Sequence, residues 1–131
     1  MKKLYILMML IVAVTVSNSF AKELEQKDSK MKFYSVLEVT PTSQEWVLKY
    51  IEPANRVVAR YGGKFLARTS SHERLEGKGP MVGLRIIIEW PSKEAALNFT
   101  KDPEYVPHLK ARIAGSVSHH YLIEGKDELA N

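Results

Sequence analysis

The stretch Val82-Gly-Leu-Arg-Ile-Ile-Ile-Glu-Trp90 constrains the fold more than any other part of the chain. Side chains alternate between the two faces of a strand, so Val82, Leu84, Ile86, Ile88 and Trp90 share one side while Gly83, Arg85, Ile87 and Glu89 share the other. Five large apolar side chains on one face need a second layer over them. Arg85 and Glu89 must then be wet, paired or bound to something, because an unpaired charge is costly to bury.

Upstream, Trp46, Tyr50, Ala54, Val57 and Tyr61 recur at helical spacing, with Val47, Ile51 and Val58 widening the stripe. Gly62-Gly63 ends this helix, since the residue past the last turn commonly adopts a positive φ that glycine tolerates without a Cβ clash; both glycines are assigned a structural role. Thr42-Ser-Gln-Glu45 has the spacing of a capping box at the helix start, and Pro53 predicts a bend over Lys49–Pro53. Lys32–Val39 reads as a strand apolar on both faces and therefore central. Lys64–Thr69 reads as a second strand with Phe65 and Ala67 on one side and Leu66 and Arg68 on the other. A long loop over Ser70–Pro80 follows, then the Val82–Trp90 strand. Ser92 caps a second helix that turns Ala95, Ala96 and Phe99 inward; Asp102-Pro103 restarts it with Asp102 as cap, Val106, Leu109 and Ile113 continue its stripe, and Gly115 ends it. Val117–Ile123 is the last strand.

The N-terminus has a different character. Met1-Lys-Lys3, an apolar run from Leu4 to Val14, and small residues at Ser19 and Ala21 match the three regions of a secretory signal peptide over residues 1–21, cleaved after Ala21. The alternative is an uncleaved anchor, against which Ser17, Asn18 and Ser19 interrupt the apolar run. The expected protein is periplasmic or secreted, with no membrane association after cleavage. Residues 22–30 form a polar lead-in, 31–125 the folded domain, and 126–131 a charged tail. The absence of cysteine excludes disulfides and thiolate chemistry. The formal net charge is +4, of which Lys2 and Lys3 supply half, and no Lys/Arg run is interleaved with aromatics, so no nucleic acid partner is expected.

Strand, helix, strand, strand, helix, strand is the order of an α+β, ferredoxin-like βαββαβ sandwich: a four-stranded antiparallel sheet with two helices on one face. The other face carries too many apolar residues, Leu66 and Ile87 among them, to stay wet, and a second copy covering it makes a homodimer. From Phe33 to Gly125 the chain resembles the domain of unknown function family numbered 1330, of the dimeric α/β-barrel superfamily. The resemblance rests on Tyr50, Tyr61-Gly-Gly-Lys-Phe-Leu-Ala-Arg68, Leu75-Glu-Gly77, Ile86-Ile-Ile-Glu-Trp-Pro-Ser92, Ala95-Ala96, Asp102-Pro-Glu-Tyr105, Arg112 and Leu122-Ile-Glu-Gly125. It implies the fold and the dimer but no reaction, although proteins with the same barrel include cofactor-free monooxygenases, isomerases and haem enzymes.

Arg68, Arg85 and Glu89 are the first candidates for a site, placed together on the face a partner would cover and forming either a structural ion-pair network or a small-anion site with Tyr105 and Arg112 at its rim. His119 and His120 are strand neighbours pointing to opposite faces, His108 lies on a helix and His72 in a loop, so no metal site is expected. Glu89, His108 and whichever of His119 and His120 faces the barrel are the candidate proton-transfer groups. Asp102-Glu104 is read as a helix cap and Glu76-Gly77 as a turn. Two function classes follow: a binding module for a small acidic or aromatic molecule, and a cofactor-independent enzyme acting on a small aromatic or keto acid. A purely structural dimer is the third reading.

Overall fold

The computed structural model describes residues 31–130. The signal peptide and the polar lead-in expected over residues 1–30 lie outside the described residues. Strand β1 runs Phe33–Pro41, α1 Val47–Arg60, β2 Lys64–Thr69, β3 Leu84–Trp90, α2 Lys93–Lys101, α3 Val106–Ala114 and β4 Ser116–Glu124. The sheet order is β2-β3-β1-β4 and every pairing is antiparallel, the ferredoxin-like topology with β1 central. The second crossover holds two helices where one interrupted helix was expected. Asp102 takes an extended conformation at the end of α2, and its carbonyl accepts from the Tyr105 and Val106 N–H groups at 3.0 and 2.9 Å before α3 begins. Pro107 then falls in the first turn of α3, where its missing N–H breaks no helical bond.

One face of the sheet meets the helices. Leu37 and Val39 of β1 and Ile86, Ile88 and Trp90 of β3 pack against Ala54, Val57 and Val58 of α1, Ala95, Ala96 and Phe99 of α2, and Tyr105. Burying each large aliphatic side chain contributes about 1.5–3 kcal/mol, which makes this interface the main source of stability. The turn after α1 is held in two ways. Gly62 has φ 72°, and a Cβ on Gly63 would lie 2.6 Å from the Trp90 ring and 2.8 Å from Val58.

The capping box at the start of α1 does not form. No side chain caps the helix; instead the Thr42 and Ser43 N–H groups donate to the Gly115 carbonyl at 2.9 and 3.2 Å, and Trp46 Nε1 donates to the same oxygen at 2.9 Å. A tertiary acceptor has replaced the local one, tying the start of α1 to the end of α3. Pro53 is buried inside a helix that continues through it to Arg60.

The largest departure from the sequence reading is in β2. Phe65 pairs with Ile88, but Ala67 pairs with Ile87 and Arg68 with Ile86, so a β-bulge at Leu66 shifts the register by one residue. A one-residue shift exchanges the faces of everything beyond it. Arg68 therefore lies on the helix-covered side of the sheet, not beside Arg85 and Glu89. Ile87, Val117, Tyr121 and Ile123 are exposed on the opposite face, which no helix of the described residues covers.

Candidate binding site

Between the first half of α1 and the sheet lies a cavity of about 310 Å³. Trp46, Val47, Tyr50 and Ile51 of α1 form one wall, and Val39 of β1 with Leu84 and Ile86 of β3 form the other. Its charged lining residues are Arg68 and Arg112. A mostly apolar pocket with a few convergent polar groups has the composition of a small-molecule site.

Arg112, on α3, is only 3% exposed. Its Nη1 donates to Ser118 Oγ at 2.8 Å, its guanidinium carbon lies 6.0 Å from the Tyr50 ring centroid, and its Nε is buried without a hydrogen-bond partner. Among the described residues no carboxylate forms an ion pair with it. A buried cation without a counter-ion is unfavourable by several kcal/mol unless something supplies the missing charge. Arg68 sits at the other side of the cavity, its Nη1 donating to Asn55 Oδ1 at 2.7 Å and its guanidinium 4.1 Å from the Phe65 ring centroid.

Behind the cavity wall, the Tyr50 and Tyr105 hydroxyls are 2.6 Å apart. Tyr105 is fully buried against Phe99, ring centroids 4.1 Å apart, and burial, reinforced by Tyr50, pushes its phenol well above the ordinary range. Tyr105 thus keeps its proton, and of the two tyrosines Tyr50 is the one that lines the cavity.

The other sequence candidates fall elsewhere. Arg85 pairs with Glu38 at 3.2 Å, and Glu89 with Lys32 at 3.3 Å while accepting from the Tyr34 hydroxyl at 3.4 Å, all on the open face of the sheet. Arg85 also borders a depression of about 390 Å³ under the β2–β3 loop, but Glu73 and Glu76 line it too, which disfavours an anion there. His119 points to the open face and His108 lies on α3; neither lines the cavity. The histidine that faces the helices is His120. It lies within 2.7 Å of Ser35 Oγ, which also accepts from Trp90 Nε1 at 2.8 Å. Ser35 Oγ is thus shared between the indole and the imidazole. Burial first, then the charge of Arg112, lowers the His120 pKa to about 4. A second hollow of about 180 Å³ opens beside it. Among the described residues, no group of three or more metal-ligating side chains converges.

Asp102 does more than cap a turn. It is 5% exposed and accepts from Arg60 Nη1 at 2.9 Å, from the Tyr61 hydroxyl at 2.9 Å and from the Glu104 N–H at 2.9 Å. Glu104 receives Arg60 Nη2 at 2.6 Å and Arg56 Nε at 2.8 Å. This clamp locks α1 to the α2–α3 junction. Its arginines, one turn apart on α1, are the sequence signal, but their acid partners lie more than forty positions away.

The topology defines a chain of the ferredoxin-like α+β class, with an apolar sheet face that no helix of the described residues covers. Residues 32–126 match the family described as Domain of unknown function (DUF1330), and the chain belongs to that family. Among solved structures it is similar to a protein of unknown function from Rhodopseudomonas palustris, at 19% identity over 83% of this chain and 93% of that one, with a TM-score of 0.63. It is also similar to SnoaB, a cofactor-independent oxygenase from Streptomyces nogalater, at 21% identity over 77% of this chain and 99% of that one, with a TM-score of 0.52. At these identities the likeness is one of fold. No curated protein matches the chain.

Proposed function

We propose that this protein binds a small apolar or aromatic acid in the cavity between α1 and the sheet, its acidic group on Arg112. The observation that carries this reading is the buried guanidinium with an unpartnered Nε and no counter-ion, lining an otherwise apolar space. A carboxylate bound on the cavity side of the guanidinium neutralises its charge. The working unit is a homodimer, a reading supported by Ile87, Val117, Tyr121 and Ile123 on an otherwise uncovered sheet face. Its compartment is outside the cytoplasm, supported by the three-part leader at residues 1–21.

A second reading, a cofactor-independent enzyme, is favoured by the Tyr50–Tyr105 hydroxyl pair, a hydrogen-bonded polar group beside an otherwise apolar cavity. The likeness to SnoaB adds a precedent for the fold. Glu89, His108 and His119 do not serve this reading, because none of them lines the cavity.

The test is a thermal-shift screen of small carboxylic acids and phenols on protein purified from the exported fraction, whose intact mass also reports cleavage after Ala21. Binding raises the melting temperature in proportion to ligand concentration over Kd. Acids that stabilise without being consumed support the binding reading, and consumption of a hit supports the enzyme. A screen in which no acid stabilises the protein refutes both.

A further inference from the structure

We infer that the ligand of this cavity carries two acidic groups on a short apolar body, one held by Arg112 and the other by Arg68. The inference rests on the reading of the cavity as a small-acid site and narrows its ligand class.

Arg74, in the β2–β3 loop beside Glu73 and Glu76, stands apart from this cavity; the other arginines of the folded domain fall into two sets. Arg56, Arg60 and Arg85 each meet a carboxylate of the chain. Among the described residues Arg68 and Arg112 meet none, and both line the same cavity. Among the described residues no acid lines that cavity. The presence of Arg68 there is itself a structural device. Without the bulge at Leu66 the alternation of β2 would turn Arg68 to the open face; with it, Arg68 lies opposite Ile86, itself a lining residue. Among the described residues its hydrogen-bonded side chain is a neutral amide, Asn55, which orients the guanidinium without neutralising it.

The two cations enter the cavity from opposite edges of the sheet. Arg68 is on β2 and Arg112 is anchored to Ser118 on β4, the two edge strands of the sheet. Three strand spacings separate those edges, about 14 Å, and both arginines line the cavity between them. A compact dianion such as phosphate leaves the apolar stretch between the two edges unfilled. A monoacid satisfies Arg112 and leaves Arg68 facing an apolar wall. A rod-shaped diacid lies across Val39, Leu84 and Ile86 with an acid at each end. Arg112 is buried and supplies most of the affinity; Arg68 is exposed, so its share is smaller and screened by salt.

The experiment titrates the purified protein with two matched pairs, terephthalate against benzoate and suberate against octanoate, and with inorganic phosphate, by calorimetry at low ionic strength. At least one diacid is expected to bind about tenfold more tightly than its monoacid, and phosphate to bind weakly. Arg68→Gln is expected to lower the diacid affinity about tenfold and the monoacid affinity far less, so that the ratio collapses; raising the salt should shrink the ratio in the parent. Circular dichroism of this surface variant checks that its fold is intact. A ratio near one in the parent, or one that survives Arg68→Gln, overturns the two-acid inference while leaving the small-acid site standing. If neither acids nor diacids bind, the cavity reading itself fails, and this inference with it.

Discussion

Two pairs of arginines border the helix layer, and they live under opposite conditions. Arg56 and Arg60 project from α1 onto Asp102 and Glu104, with every acid–base contact of 2.6 to 2.9 Å closed within the chain. Arg112 and Arg68 face an apolar cavity and, among the described residues, meet no acid there. The first pair explains itself as structure: it fastens the C-terminal half of α1 to the α2–α3 junction. The second does not, because burying Arg112 without a counter-ion lowers stability relative to an apolar side chain of similar size. Residues that a fold tolerates at a cost are where a ligand is to be sought.

The largest expected effect breaks this comparison at Arg112. Arg112→Met keeps much of the volume and removes the buried charge, so stability in a urea titration should stay level or rise, while affinity for the acids found in the screen should fall about a hundredfold or more. The opposite pattern, a clear loss of stability with affinity intact, would make Arg112 a structural residue like Arg60. On the clamp side the expectation reverses. Asp102→Asn keeps the shape but removes the charge facing Arg60, and should cost about 2 kcal/mol of stability without touching the affinity of the cavity. If ligand affinity drops in step with stability, the two arginine systems are one network and the distinction is wrong.

The contrast also separates what the sequence makes legible from what it hides. The alternation of Leu84 to Trp90, the glycine stop after α1 and the order of elements are local patterns, and the structure has them. Asp102 looked like a cap because its Glu104 N–H bond is local; its bonds to Arg60 and Tyr61 join elements some forty residues apart and leave no local pattern. The start of α1 failed in the same way, where the Gly115 carbonyl took the donors that a capping box would have used. Arg68 was placed on the wrong face because a bulge is decided by how β2 pairs with β3, and one inserted residue reverses every assignment beyond it. Arg112 and Tyr105 were recognisable as candidates, but only the packing of α3 against β4 shows that Arg112 is buried and unpaired. The pairing of β1 with β4 likewise decides that His120, not His119, turns inward: His120 sits opposite Leu37 on the core face.

His120 gives the smallest effect and a way to sharpen the comparison by pH. It is packed on the cavity's side of the molecule, facing Ser35 of β1, Trp90 of β3, Arg112 of α3 and the Ala96–Thr100 stretch of α2. Among these, Arg112 is the charged group. Burial first and Arg112 second lower its pKa from 6.5 to about 4. Because the folded value is the lower one, the unfolded chain binds more protons between those limits; the stability linked to neutral His120 is complete above pH 6.5 and is lost as the pH falls toward 4. About 1 kcal/mol should be gone by pH 5.5, read as a lower urea midpoint than at pH 8. The clamp titrates in a lower window. Burial alone would raise the Asp102 pKa, but the bonds from Arg60, Tyr61 and the Glu104 N–H outweigh it and hold it below 3.8; Arg60 and then Arg56 hold Glu104 below 4.5. Stability should therefore fall in two stages on acidification, the histidine first and the carboxylates after it. His120→Asn should flatten the curve between pH 7 and 5 and leave the acid stage in place. A parent protein equally stable at pH 8 and 5.5 would mean that His120 accepts its proton inside the folded state, and that the Arg112 side of the helix layer is open enough to solvate both charges.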